Sequence, residues 1–283
     1  MRAGPLSKKT VSDTLNRYFV PVYTSNEDYQ GNGAAPKEER EEYQKIYRAA
    51  LDKKLSTGTV HAYVLSPAGE PVDSLHVAEA ARGDNTLRML NRAVERFKPT
   101  AGEPLVKPRT QSAPPAPPGS GIVLHLTARA EGTNPADDSW HAYPSEDWIV
   151  LHAADVAKLL PADGKAPDVG STWDIDRDVA TKILTHFYPQ TENNDVHKNK
   201  IERINLRATV VSRQGDVVRA RLDGDLRMRH PFYHKDTPDM VDATVVGYVD
   251  VDSRAGKVGR FKLTTDRATY QGRPFDVGVE SVQ

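Results

Sequence analysis

The chain has 283 residues, and its 38 basic and 39 acidic side chains leave a formal net charge of −1 at pH 7. This balance argues against a general nucleic-acid-binding protein, which normally carries a basic excess. Cysteine is absent, which excludes disulfides, thiolate metal ligands and dithiol chemistry from this polypeptide. No apolar run approaches the roughly 20 residues that a membrane-spanning helix needs, so no transmembrane segment is predicted.

The N-terminal residues, MRAGPLSKKTVSDTL, contain no apolar segment of the kind that a signal peptide needs. The chain as written is therefore predicted to stay in the cytoplasm, and export is predicted only if the true start lies upstream. No motif for a cofactor or a nucleotide phosphate is present, so no cofactor is predicted.

The first third of the chain has the pattern of a small α/β domain. A helix is predicted over residues 7–18, a short strand over 19–24 and a long helix from Pro36 onward. Residues 60–66 and 71–77 are predicted to form a hairpin, because Pro67 presets φ and Gly69 accepts a positive φ in the turn. A closing amphipathic helix ends near Phe97, with Asp84 or Asn85 as its N-cap.

The segment over residues 99–120 is dense in proline. With the following Gly121 it reads PTAGEPLVKPRTQSAPPAPPGSG. Such a segment favours extended polyproline II and is typical of a semi-rigid linker. The predicted domains are therefore 1–98, a linker over 99–120, and 121–283.

The second domain is predicted to be mainly antiparallel β-sheet. Short helices are expected over residues 154–160 and 176–187, and from Ile204 onward apolar and polar residues alternate through several long runs joined by short turns. We expect a curved sheet or partial barrel with the two short helices packed at its mouth or concave face. The predicted fold class is α+β in two domains.

The first domain resembles the thioredoxin-like fold. The resemblance is carried by residues 15–22, LNRYFVPV, and residues 58–65, GTVHAYVL, and it covers about residues 5–98. It implies a thioredoxin-like α/β domain. In that family a Cys-x-x-Cys or selenocysteine motif opens the first helix after an initial strand, and a cis-proline follows Gly-Thr. Here the motif and that strand have no counterpart, and Val60 stands where the cis-proline would be.

A candidate for the mouth of a small-molecule pocket is a loop that combines aromatic rings with polar groups, at Trp140, His141, Tyr143 and Trp148. Ligand pockets pair apolar walls with a few polar groups, but a loop pinned to the core by its tryptophans is also consistent with this pattern. Arg219 and Arg221 lie on the polar face of a long strand and are candidates for a ligand or partner surface. A solvated face with cross-strand ion pairs is the alternative.

His230, His234 and Asp236 form the densest group of potential metal ligands. Two imidazoles and a carboxylate suit Zn²⁺ if the loop folds back on itself, but the spacing has no helical register. A hydrogen-bonded turn is the alternative. His61 and Tyr63 share one face of the predicted hairpin and His76 lies on its partner strand, where they are expected to be ordinary sheet residues.

These observations favour a non-catalytic binding or interaction protein, with a redox-inactive thioredoxin-like domain and a β-domain that binds a ligand or partner. One alternative is a thiol or selenol oxidoreductase whose active-site motif lies upstream of the start. Another is a metal-dependent hydrolase that uses His230 and His234. The expected partners are a protein or a small molecule, and an exposed strand edge offers a route to a homo-oligomer.

Overall fold

The computed structural model describes residues 5–24, 35–58, 60–103, 115, 119–133, 144–161, 166–189, 191, 195–231 and 239–282. The chain divides into two compact units. Among the described residues, the first unit ends at residue 103 and the second begins at residue 115. Among all the described residues, no helix combines the length and the hydrophobicity that a bilayer span requires.

The described residues of the first unit contain four α-helices and one β-hairpin. They are α1 (Lys9–Tyr18), α2 (Lys37–Asp52), β1 (His61–Leu65), β2 (Pro71–His76), α3 (Val77–Ala80) and α4 (Gly83–Phe97). The strands pair antiparallel around a turn in which Gly69 has a φ of 81°. This is the predicted hairpin, and its turn uses the glycine as expected.

Helix α4 packs over the hairpin and provides most of the core of the first unit. Its apolar side chains recur at helical spacing and meet Val64 of β1 and Val11 of α1; the buried members from α4 are Met89, Leu90 and Ala93. Arg92 on α4 also forms an ion pair with Asp73 on β2, with 2.7 Å between Nη2 and Oδ2. The hairpin and α4 therefore form one packed layer.

Two predictions for the first unit are wrong in detail. Residues 19–24 do not form a strand, and the side chains of Val20, Val22 and Tyr23 are 73%, 72% and 82% exposed. The apolar run Phe-Val-Pro-Val-Tyr predicted a strand, but Pro21 has no N–H for a ladder and the described residues supply no paired neighbour. Helix α4 also begins at Gly83, so neither Asp84 nor Asn85 is its N-cap.

The second unit contains eight strands and two short helices among its described residues. They are β3 (Ile122–Ala130), β4 (Ser145–Leu151), α5 (Ala153–Ala157), β5 (Thr172–Asp174), α6 (Arg177–Leu184), β6 (Lys200–Gln214), β7 (Val217–Arg229), β8 (Met240–Asp252), β9 (Lys257–Tyr270) and β10 (Arg273–Val282). The side chain of Asp176 caps α6 by accepting a hydrogen bond from the amide of Asp178.

All eight strands belong to one antiparallel sheet with the order β4-β3-β10-β9-β8-β7-β6-β5. Alternate residues of each long strand are buried and meet α5 and α6 on one side, which we call the inner face. Helix α5 contacts both β4 and β9, which lie three strands apart in this order. This helix therefore bridges strands from different parts of the sheet on its inner face.

Helices together with a large antiparallel sheet make the chain an α+β protein, which confirms the coarse fold class. The other face of the sheet, which we call the outer face, carries the polar half of each alternating strand. Its residues make up the candidate site.

Candidate functional site

A row of large side chains crosses the outer face at right angles to the strands. The cross-strand register places directly opposite one another, from β7 to β4, Arg221, Tyr248, Lys262, Glu280, His125 and Trp148. Directly opposite residues on neighbouring strands point to the same side of a sheet. We call this set the outer row.

A second row, displaced by two residues along each strand, consists of small side chains. It contains Val246, Thr264, Gly278 and Thr127, which are again opposite one another on β8, β9, β10 and β3. Because this row is low and the outer row beside it is high, a groove runs across four strands. The groove has a volume of about 470 Å³ and its walls are mainly apolar. This volume lies within the range of known small-molecule sites.

A depression of about 340 Å³ also lies along the exposed side of α2. A single helix supplies all of its lining, from Glu41 to Asp52, so it has no facing walls. The groove is the better candidate, because residues from four different strands line it.

The ionisable side chains of the groove belong to the outer row, which forms its rim. Lys262 Nζ is 2.9 Å from Glu280 Oε2, and the hydrogen bond from Lys262 holds the pKa of the Glu280 carboxyl below its usual range. The ring of His125 stacks on Trp148 with 4.4 Å between their centroids. His125 Nε2 is buried and makes no hydrogen bond with the described residues; Glu146 Oε2 lies 4.0 Å away. The rim therefore offers one ion pair and one imidazole.

The second row forms the floor of the groove, and one of its residues is a glycine, Gly278, which lies where the β9–β10 register shifts. A Cβ at Gly278 would have nothing within 4 Å, and its φ is not in the left-handed region. Glycine inside a strand costs about 0.5–1 kcal/mol relative to alanine, and often marks a place where a ligand or another backbone approaches closely. Gly247, on β8, is different, because a Cβ there would collide with the backbone carbonyl of Lys262.

The structure brings two of the predicted ligand residues to the groove region. Trp148 ends the outer row at β4 and Arg221 ends it at β7. Trp140, His141 and Tyr143 lie outside the described residues. The groove itself also includes Tyr248, Lys262 and Gly278, which sequence reasoning missed; the isolated glycine in an alternating strand was the signal that pointed to it.

Arginines on β6 and β7 pair with carboxylates on neighbouring strands. Arg219 makes two hydrogen bonds to Asp250, of 2.7 and 2.8 Å, and Arg203 contacts Asp225 at 2.7 Å. Arg221, in contrast, pairs with Asp223 on its own strand, at 2.8 Å. Exposed pairs of this kind contribute about 0–1 kcal/mol each. Arg219 is therefore engaged in an ion pair, which matches the alternative interpretation of this face.

His230 lies in a buried hydrogen-bond network. Its Nε2 is 2.7 Å from Thr191 Oγ1 and its Nδ1 is 2.7 Å from Asn199 Oδ1. The Asn199 amide nitrogen donates to the carbonyl of Thr185 at 2.8 Å, which leaves its oxygen as the acceptor for His230 Nδ1–H. Nε2 must then accept from the Thr191 hydroxyl. These contacts fix one neutral tautomer.

The surroundings of His230 keep it uncharged. Its ring stacks on Tyr188 at 4.1 Å between centroids, and burial lowers its pKa to about 4, while Asp239 offsets part of the shift. Burial also raises the pKa of Tyr188 to about 12. Thr191 and His230 are only 7% and 1% exposed. The pair is therefore closed to solvent among the described residues, and we interpret the network as structural.

The predicted metal set is only partly covered by the structure. His234 and Asp236 lie outside the described residues, and both ring nitrogens of His230 are already hydrogen-bonded. Within the described ranges, no group of three or more His, Cys, Asp or Glu side chains is placed to hold a metal ion. A metal centre at these three residues stays a prediction.

The hairpin histidines of the first unit form a separate cluster. His61 and His76 are directly opposite on β1 and β2, with 5.1 Å between ring centroids. Burial, and secondarily the imidazole of His76, lower the pKa of His61, while the backbone of Val60 offsets part of the shift. Tyr63, on the same face of β1, stacks beside His61 at 5.8 Å.

Comparison of the chain with protein-family models, with curated proteins and with solved structures finds no match.

Proposed function

We propose that the second unit is a binding module, which holds an elongated and mainly apolar small molecule in the groove over Gly278. The observation that carries this proposal is the open glycine in the floor. Packing does not call for glycine there, although the β9–β10 register shifts between Pro274 and Gly278, and the missing side chain leaves room for a molecule lying on the sheet. Residues from four strands line this position, so such a molecule would lie on the second row and against the side chains of the outer row.

The shape and lining of the groove define the chemistry of the ligand. The floor row spans β8 to β3, which is three strand spacings or about 14 Å, so a long, flat body fits it. Val246 and the ring of Tyr248 offer apolar contact, and Tyr248 is 48% exposed. Lys262 and Glu280 on the rim can bind a polar or charged end group. An amphipathic molecule matches this arrangement better than a sugar or a nucleotide, because the walls are mainly apolar.

A redox-inactive, thioredoxin-like scaffold is the proposed role of the first unit. Two features support it, namely the hairpin covered by α4 and the absence of cysteine from the sequence. Against a full thioredoxin-like sheet, residues 19–24 are not a strand and the hairpin has only two strands among the described residues. The two cysteine-free units together fit a binding protein that does not use thiol chemistry.

Filling the groove tests the proposal. The Gly278→Phe variant is expected to bind the elongated apolar anion 1-anilinonaphthalene-8-sulfonate at least about tenfold more weakly than the natural chain, because the new ring occupies the floor. A tenfold loss corresponds to about 1.4 kcal/mol. Fluorescence titration measures the affinity. Thermal unfolding of the variant is expected to stay cooperative, since a Cβ at this position has nothing within 4 Å.

Gly259 provides a matched control. It is an exposed glycine on the neighbouring strand β9, outside the groove, and a Cβ there meets the carbonyl oxygen of Asp250 at an ordinary 3.8 Å. The Gly259→Phe variant should bind the fluorophore as the natural chain does. Equal affinities of the natural chain and Gly278→Phe would rule out the groove as the binding site.

A further inference from the structure

The hairpin of the first unit carries a pair of histidines that the proposed function does not use. His61 and His76 are directly opposite in the β1–β2 register, so both rings project from the same face. Their ring centroids are 5.1 Å apart and the ring planes meet at 79°. We propose that these two imidazoles form a binding site for a divalent transition metal ion.

The separation of the rings suits a shared metal ion. A metal about 2.1 Å from an imidazole nitrogen lies about 3.2 Å from the ring centre, so two ligands at a tetrahedral angle have centroids about 5.2 Å apart. The observed 5.1 Å needs almost no change in the backbone. A metal lies in the plane of each ring that holds it, so one ring must turn about χ2, a torsion with a broad minimum.

The hydrogen bonds around the pair indicate which nitrogens bind. His61 Nε2 is 3.0 Å from Ser56 Oγ, while His61 Nδ1 is buried, and apart from a weak interaction of the ring with the backbone of Val60 it has no hydrogen-bond partner among the described residues. A metal-bound histidine usually donates its other N–H to an oxygen, and Ser56 stands in that position. His61 Nδ1 is therefore the first ligand.

His76 contributes the second ligand through Nε2. At present its Nδ1 accepts the amide N–H of Ala78 at 3.2 Å and caps α3. Metal at Nε2 moves the ring proton to Nδ1, and the long bond from Ala78 is given up. No third His, Cys, Asp or Glu converges here within the described part of the chain, so water must complete the coordination, and this requires the His61 ring to turn until Nδ1 leaves its buried position beside Gly58. Imidazole pairs suit Cu²⁺, Ni²⁺ and Zn²⁺, and the general order of affinities places Cu²⁺ first.

The test uses the full chain without a histidine tag, freed of metal with a chelator and dialysed. Titration calorimetry with Cu²⁺ and with Ni²⁺ is expected to detect a site that His76→Asn weakens at least about tenfold. Asparagine is a good N-cap, so this variant keeps the start of α3 while losing the ligand. Histidine-ring NMR signals broadened first by Cu²⁺ should be those of His61 and His76.

A second variant tests the geometry without removing a ligand. A Cβ at Gly58 would lie 2.7 Å from His61 Cε1 and 3.0 Å from Nδ1, so Gly58→Ala should displace the ring and weaken binding. His197→Ala, at an exposed position in the second unit, should leave the affinity unchanged. The proposal is overturned if His76→Asn binds Cu²⁺ as tightly as the natural chain, or if other histidine signals broaden first.

Discussion

Replacing His230 with alanine is expected to destabilise the second unit by about 4 kcal/mol at pH 7, which is the cost of removing a large buried side chain and leaving hydrogen-bonding groups unsatisfied. The ring fills the space between Tyr188 and Tyr270, and Thr191 and Asn199 both bond to it. Chemical denaturation followed by the circular dichroism of the sheet measures the loss.

The same comparison at lower pH tests the charge state of His230. Because its folded pKa of about 4 lies below the ordinary value of 6.5, its contribution is complete above pH 6.5. This contribution is lost as the pH falls from 6.5 toward the pKa of the folded state, because the unfolded chain then binds a proton at His230 and the folded chain does not. The loss amounts to about 3 kcal/mol by pH 4. The gap between the natural chain and His230→Ala should therefore shrink to about 1 kcal/mol.

His197→Ala is the matched control for that series, because His197 is exposed. Its effect should stay within about 0.5 kcal/mol at either pH. A gap between the natural chain and His230→Ala that is independent of pH would contradict the neutral, buried state assigned to His230.

The Gly247→Ala variant is expected to lose about 3 kcal/mol or more of stability. The new Cβ would collide with the carbonyl of Lys262 and approach Leu263 Cα at 2.8 Å, and backbone in the middle of a sheet cannot move aside cheaply. Gly278→Ala should be neutral or stabilising by up to about 1 kcal/mol, because its Cβ is unobstructed and the unfolded chain loses freedom.

Chemical denaturation of Gly247→Ala and Gly278→Ala side by side measures the free energy of unfolding of each variant. They make the same chemical change in neighbouring parts of one sheet, so the difference between them isolates the local packing. Equal stabilities would mean that β8 and β9 do not approach as closely at Gly247 as the structure has them.

Alternation in the sequence was sufficient to predict the long strands. In β7 the buried residues Val218, Ala220 and Leu222 alternate with exposed arginines and aspartates, and the structure places them on opposite faces. That pattern is local, because successive residues of a strand point to opposite sides. A strand prediction without such alternation failed at residues 19–24, where the apolar run has no paired strand among the described residues.

The groove could not be predicted in the same way. Its floor joins Thr127, Val246, Thr264 and Gly278, which are brought together only by the register of four strands. One sequence contains each strand but not which residues lie opposite one another. Gly278 was visible as a glycine in a strand, but its open surroundings depend on neighbours far away in the chain.

His230 illustrates the limit of composition-based site prediction. The cluster of histidines and aspartates near it suggested a metal centre, whereas its closest partners are Thr191 and Asn199, which are 39 and 31 residues away. Neither residue type is a typical zinc ligand. The burial that lowers the pKa of His230 likewise arises from tertiary packing.

Binding in the groove is tested most directly by methyl NMR of the full chain titrated with 1-anilinonaphthalene-8-sulfonate. Val246 and the methyl groups of Thr127 and Thr264 line the groove, whereas Val218 and Leu222 lie on the inner face of the sheet. We predict that the first three signals shift together in a saturable way, that Val218 and Leu222 stay in place, and that Gly278→Phe abolishes the shifts. Shifts confined to residues outside the groove, or equal shifts in Gly278→Phe, would contradict the proposed binding site.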